Sequence, residues 1–192
     1  LDPSLTREID EPFFNTSLSA VVARRRTYFQ DLLLSETPIG CQPNEETGAI
    51  LAKHARQNLE LCFPRSKTTN QFIERVRFLS QYMPELELPD LDSKSIDQVL
   101  FELCATRTSF AELTKAPWLD HLRCRYQYEQ MRLIDLHAPV TMTVPSGNEH
   151  SISYEQGKPP RMEVRIQELF GWQQTPRVAS RIPIQLHLLG PN

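Results

Sequence analysis

Residues 140–154 constrain the fold of this chain more than any other stretch. Val140, Met142 and Val144 alternate with Thr141 and Thr143, the two-residue period of a half-buried strand. Pro145-Ser146-Gly147-Asn148 follows. Proline presets one backbone angle, and glycine and asparagine tolerate positive φ, so the chain turns there. Ile152 and Tyr154 then alternate with Ser151 and Ser153, and the whole reads as a β-hairpin. Beyond it, prolines and glycines separate short apolar runs. Residues 182–189 read as a strand, and Pro183, which has no N–H to donate, puts its start at a sheet edge. Residues 161–170 carry two signals. Val164 and Ile166 suggest strand, whereas Gln167-Glu168-Leu169-Phe170 ahead of Gly171 suggests a helical turn ending at glycine. A short helix is the expectation there, with Phe170 in the core.

The middle of the chain has a different period. Ile50, Leu51, His54, Ala55, Asn58, Leu59 and Cys62 recur at helical spacing, and Pro64 stops that helix. Thr68 or Thr69 starts a second, with Phe72, Ile73, Val76, Leu79 and Met83 on one face. Ser93 suits the N-cap of a third, with Ile96, Val99, Leu100, Leu103 and Cys104 inward. Ser109 and Glu112 form a capping box, Pro117 opens a helix reaching about Cys124, and a last helix covers 126–136. Amphipathic helices of this length pack as a small bundle.

Residues 1–45 read as irregular apart from one run, 18–36. Its β-branched and aromatic residues favour strands, with a hairpin folding near 26–30, although its arginines and leucines also suit a helix. Residues 37–44, with Pro38, Gly40 and Pro43, read as a linker. The fold class is therefore α+β. Residues 1–45 are an extended segment with strands available to join the C-terminal sheet, 46–136 a helical bundle, and 137–192 a β-rich segment. One economical arrangement closes strands from both ends into a small β-barrel, with the bundle inserted in it or preceding it.

Several kinds of chemistry are excluded. A phosphate-binding loop needs G-x-x-x-x-G-K-[ST]; neither that pattern nor Asp-Glu-x-His is present, which argues against ATP hydrolysis by this chain alone. There is no G-x-S-x-G and no H-E-x-x-H, and the five histidines are scattered, so no catalytic residue and no metal ligand is assigned. Cys41, Cys62, Cys104 and Cys124 form no C-x-x-C pair and read as reduced, mostly buried thiols of a cytoplasmic protein. No apolar run is long enough to span a membrane. A net charge of −3 argues against a strong free-standing nucleic-acid binder.

Two local groups could still touch a single strand. On a strand, Arg24 and Arg26 share one face and Arg25 takes the other. Guanidiniums about 7 Å apart could bridge successive phosphates; the alternative is a solvated face, or ion pairs with Asp31 and Glu36. Tyr154, Phe170 and Trp172 lie in sequence near Lys158, Arg161, Arg165, Arg177 and Arg181. Stacking platforms beside cations suit single-stranded nucleic acid, but Glu149, Glu155, Glu163 and Glu168 nearly cancel those charges.

The same stretches carry a resemblance. V-P-S-G at 144–147, Y-x-x-G-x-P-P at 154–160, V-R-I-Q-E-L-F-G at 164–171, T-P-R at 175–177 and I-P-I-Q-L-H-L-L at 182–189 resemble the C-terminal region of HrpB-like, DEAH-box helicases. V-V-A-R-R-R at 21–26 and L-C-F-P-R-S…R-V-R-F-L at 61–79 extend it. The resemblance places residues 18–36 in sheet and implies a barrel of the oligonucleotide-binding kind. It implies an accessory region, without chemistry of its own, that packs on motor domains in the same polypeptide or helps hold single-stranded RNA or DNA. ATP and magnesium would belong to the motor, and both chain ends read as cuts from something larger. Arg24, Arg25, Arg26, Arg165 and Trp172 are the nucleic-acid contacts this implies. Asn148-Glu149-His150 stands where relatives carry basic residues in the hairpin turn, which weakens that face for a polyanion. The alternative is a protein-interaction module that binds no nucleic acid.

Overall fold

The computed structural model describes residues 6–190. In chain order the elements are β1 (Thr6–Asn15), β2 (Ala20–Phe29), β3 (Leu32–Ile39), α1 (Glu45–Gln57), α2 (Leu59–Cys62), α3 (Lys67–Tyr82), α4 (Ser93–Cys104), α5 (Phe110–Thr114), α6 (Trp118–Arg123) and α7 (Tyr128–His137). Then come β4 (Thr141–Thr143), β5 (Glu149–Ser153), β6 (Arg161–Arg165), β7 (Arg177–Val178), β8 (Ile182–Pro183) and β9 (Gln185–Leu189). Two compact units share these elements. One holds the residues up to Arg65 together with Ser93–Trp118; the other holds Ser66–Asp92 together with the residues from Leu119 on.

In the first unit, β1, β2 and β3 form an antiparallel sheet in that order. Its base is anchored. Val21 and Ala23 are buried, the Val21 N–H donates to the Thr108 carbonyl at 2.7 Å, and the Phe110 N–H donates to the Ser19 carbonyl at 3.0 Å. The Phe14 ring stacks on His54 with centroids 4.2 Å apart and tilts against Phe110 at 5.1 Å. Helix α1 starts where Asn44 and Thr47 cap each other's backbone N–H at 2.9 Å, as a capping box requires. It buries Leu51 and Ala55, and α4 buries Ile96, Val99, Leu100, Leu103 and Cys104. The two helices approach closely at Gly48, where a Cβ would lie 3.1 Å from the Cys104 carbonyl oxygen. Trp118 fills the remaining core, its indole N–H donating to the Leu113 carbonyl at 2.7 Å and its ring against Phe63.

In the second unit, α3 buries Phe72, Ile73, Val76, Phe78 and Leu79. Arg75 lies on the same buried face. Its Nε donates to the Ala138 carbonyl at 2.5 Å and its Nη2 to the Ile134 carbonyl at 3.3 Å, with Asp135 at 2.5 Å. These carbonyls lie at the C-terminal end of α7, where the Ile134 carbonyl also accepts from the Ala138 N–H at 2.9 Å, while the Ala138 carbonyl is past the last intrahelical donor. The main sheet has the order β4-β5-β6-β9. The β4–β5 hairpin pairs Thr141 with Ser151 and Thr143 with Glu149, and Gly147 sits in its turn at φ +91. Tyr154 is fully buried; its hydroxyl donates to the Pro139 carbonyl at 2.8 Å and its ring packs on Phe78 at 5.0 Å.

The other helical expectations hold to within a few residues, but the run expected as one helix to Cys62 breaks at Asn58, which caps the end of α1 ahead of α2; Pro64 and Pro117 fall just outside the helices beside them. Cys62 and Cys104 are buried, and burial pushes both thiols up to about 12. Cys41 is half-buried and Cys124 exposed, and all four thiols are free.

The strands require corrections. The described residues form three separate sheets and no closed barrel, so the expectation of a barrel of the oligonucleotide-binding kind is not supported among them. A barrel needs an inward apolar face along every strand. Much of β1 and nearly all of β3 are instead solvent-exposed. Residues 6–15 are a full strand rather than irregular chain, and Thr37–Ile39 belong to β3 rather than to a linker. Residues 161–170 divide into strand β6 and a 3-10 turn, Ile166–Leu169, instead of forming a helix. Phe170 is 72% exposed rather than core. Residues 182–189 are two strands. β8 pairs antiparallel with β7, the chain shifts at buried Ile184, and β9 pairs parallel with β6.

Candidate nucleic-acid interface

The three arginines of β2 project as their spacing requires, and every one meets carboxylates. Arg25 grips Asp10 with two hydrogen bonds of 2.8 Å, from Nε and Nη2, and lies 3.7 Å from Glu8. On the other face Arg26 contacts Glu11 at 2.8 Å and Glu36 at 2.9 Å, while Arg24 contacts Glu36 at 3.4 Å. The register makes these cross-strand neighbours: Asp10 stands opposite Arg25, and Arg26 opposite Glu36. The hydrogen bond from Arg25 holds Asp10 below the ordinary carboxylate range, and that from Arg26 does the same for Glu36. Arg24 also lies over the Phe13 ring, 4.4 Å from its centroid. Between residues 6 and 39 the sheet carries four arginines, at 7, 24, 25 and 26, against five carboxylates, at 8, 10, 11, 31 and 36. Such a surface offers a polyanion little net attraction, because each phosphate must displace an acid already in place.

The second group lies in the other unit. Arg165 ends β6 with its side chain exposed, and the 3-10 turn separates it from Trp172. Glu168 organises this turn. Its carboxylate accepts from the Asn148 side-chain amide at 2.6 Å and from the Arg165 N–H at 3.2 Å, and lies 3.2 Å from His150 Nε2. Its carbonyl accepts from the Ser146 N–H at 3.3 Å. The Asn148 amide first, then the Arg165 N–H and His150, hold this carboxyl below its ordinary value. Glu168 thus ties the 3-10 turn to the β4–β5 hairpin.

Trp172 is half-buried, with its N–H donating to the Leu169 carbonyl at 3.0 Å. The aromatic ring presented to solvent here is Phe170, beside exposed Ile166. Of the neighbouring cations, Lys158 and Arg161 are held by Glu155 at 2.6 and 2.9 Å. Arg181 is held by the Tyr82 carbonyl and, at 3.8 Å, by Glu85. The sequence pattern concealed two features. The substituted hairpin turn supplies Asn148 and His150 as partners for Glu168, and a buried arginine, Arg75, sits in what reads as an apolar helix face. Among the described residues no group of histidine, cysteine, aspartate or glutamate could hold a metal ion, and no helix is long and apolar enough to cross a membrane.

Comparison with known proteins adds the family context. Residues 99–192 match the family model for the C-terminal region of HrpB-type ATP-dependent helicases. The ATP-dependent RNA helicase HrpB of Escherichia coli (strain K12) is 25% identical over 194 residues, covering 98% of this chain and 24% of the relative. A crystal structure of the E. coli DExH-box NTPase HrpB superposes with a TM-score of 0.73 at 24% identity, over 99% of this chain and 24% of that one. A second, of the E. coli DEAH/RHA helicase HrpB, gives 0.71 at 24% identity over 97% and 24%. The chain spans about a quarter of the length of the relatives it matches.

Proposed function

We propose, from the match of residues 99–192 to the family model for HrpB-type ATP-dependent helicase C-terminal regions, that this chain packs against motor domains in the same polypeptide and does no chemistry itself. The motor would bind ATP and magnesium; this sequence has no phosphate-binding loop to do so. The observation that carries the reading is the family match. The neutralised arginines of β2 favour packing over nucleic-acid capture as the main role of the first unit. A cytoplasmic setting suits four free thiols.

Contact with single-stranded RNA or DNA is the second reading, and one observation favours it: Phe170 is 72% exposed on the turn that begins at exposed Arg165. An exposed ring near a guanidinium can stack a base while the cation meets the backbone. Arg165, with Phe170 beside Trp172, is the place to look, ahead of Arg24, Arg25 and Arg26.

The coding region upstream of Leu1 tests the first reading. An open frame encoding G-x-x-x-x-G-K-T and Asp-Glu-x-His is expected; a start codon at this boundary with no motor would sink it. The second reading expects Phe170→Ala with Arg165→Ala to weaken binding of single-stranded RNA or DNA by the whole polypeptide about tenfold, at roughly 1–3 kcal/mol per stacked base. Unchanged affinity would leave packing as the sole role.

A further inference from the structure

The β1–β3 sheet ends in an apolar tip that its own unit does not cover. Leu32, Leu33 and Leu34 are 66%, 47% and 43% exposed. A solvated strand alternates apolar and polar residues, so three consecutive exposed leucines are not what a free edge requires. The register accounts for their presentation. Tyr28 pairs with Leu33 and Thr27 with Ser35, which leaves Leu34 as the extra residue of a bulge. Bulges re-aim side chains. Gln30, at φ +52 in the turn just before, closes the hairpin that carries them. β3 is an edge strand, with no further strand paired to it among the described residues.

The same sheet indicates what kind of surface the tip meets. Behind it the arginines of β2 are paired to acids on β1 and β3, which stiffens the ribbon and leaves four cations against five anions. A polyanion is therefore a poor occupant, and an apolar protein surface a good one. The patch is also small. Three leucines expose a few hundred Å² at most, well below the roughly 800 Å² per partner that a stable complex between free molecules buries. A contact of this size holds when the two surfaces share one polypeptide, where effective concentrations reach the millimolar range. About three quarters of the length of the matching relatives lies outside the matched region.

We propose that the Leu32–Leu33–Leu34 tip is a docking element that seats in an apolar recess of the motor part of the same polypeptide. This rests on the helicase reading above. The test uses the whole polypeptide, with Leu34→Cys and, as an internal reference on the opposite hairpin turn, Leu18→Cys; Leu18 is 64% exposed. Both sites are exposed in this unit, so neither substitution disturbs a core. Alkylation rates are read by peptide mapping. Position 34 is expected to react at least about tenfold more slowly than position 18, at any protein concentration, and a cross-linker carried on position 34 is expected to attach to motor peptides. Equal rates, or cross-links only within residues 1–192, overturn the proposal. Protection that disappears on dilution assigns the tip to a second copy, and protection that appears only with added single-stranded RNA assigns it to nucleic acid; either overturns it. An upstream frame without a motor would sink the helicase reading itself, whereas a motor present with equal rates sinks only the docking.

Discussion

Arg75 of α3 donates to the Ala138 carbonyl, 63 positions along the chain, at 2.5 Å. The guanidinium is 3% exposed and also reaches the Ile134 carbonyl. The Ile134 carbonyl already accepts from the Ala138 N–H at 2.9 Å, so the pairing that depends on Arg75 is that of the Ala138 carbonyl. Arg75→Ala removes these donors and leaves the Ala138 carbonyl without its Arg75 partner, the Ile134 carbonyl keeping its bond from the Ala138 N–H. A loss of about 1–3 kcal/mol is expected from the one unsatisfied acceptor, read as a lower urea midpoint with an unchanged slope. Arg75→Lys should recover less than half of that loss, because an ammonium lacks the planar fork.

Gly48 shows packing overriding helix propensity. Alanine in mid-helix is favoured over glycine by about 1 kcal/mol. At this position its Cβ would lie 3.1 Å from the Cys104 carbonyl oxygen and 3.3 Å from the Ala105 Cα. Both are backbone atoms, so α4 must move. Gly48→Ala is expected to cost about 1–2 kcal/mol net, read by thermal unfolding. Gly40→Ala, with nothing within 4 Å of its Cβ, is expected to leave the melting temperature within about 1 °C, the scale of a near-neutral surface change.

Glu168 makes the hairpin sensitive to acid. Its folded pKa lies below its ordinary value because the Asn148 amide, the Arg165 N–H and His150 favour the carboxylate. The unfolded chain therefore binds the proton more readily. The stability from this carboxylate is fully present above the ordinary glutamate value of about 4.3 and is lost as pH falls through the lower folded value. Protection of the Gly147 and Asn148 amides, measured against their intrinsic exchange at each pH, should fall over that window. Glu168→Gln should show low protection throughout and no such step.

Freeing the β2 arginines should raise the attraction of this sheet for a polyanion. Asp10→Asn with Glu36→Gln removes the near partner of Arg25, the acid shared by Arg24 and Arg26, and leaves Arg26 only Glu11. The double variant is expected to bind single-stranded RNA about tenfold more tightly at low salt, with a salt slope steeper by about 1–2. Arg24→Ala, Arg25→Ala and Arg26→Ala together, in the unaltered background, should change affinity less than about twofold, because those cations are already neutralised. Filter binding across a salt series checks both.

The helices were legible because their signals are local. Ser109 with Glu112, and the apolar faces at 72–79 and 96–104, need only neighbours in sequence to be read. The hairpin at 140–154 was legible for the same reason. The sheets were not. Pairing β6 with β9 joins strands separated by the 3-10 turn and the β7–β8 pair, and nothing in residues 161–165 indicates a parallel partner. β1 was missed because its outer half is exposed on both faces, so it shows no alternation. In the candidate interface the arginine run was visible, but its neutralisation depended on a register that places Asp10 and Glu36 beside it. Phe170 looked like core because aromatic residues usually are.

The two compact units are interleaved along the chain. The first draws on residues before Arg65 and again on Ser93–Trp118, while the second takes the stretch between and everything after. No single cut releases either one whole. Truncation at residue 65 would leave the first sheet and α1 without α4, and expression from residue 119 onward would leave the second unit without α3 and so without Arg75. To study one unit alone, a circular permutant or a co-expressed pair of segments is needed. Deletion mapping in the usual manner would report misfolding at almost every boundary it tried.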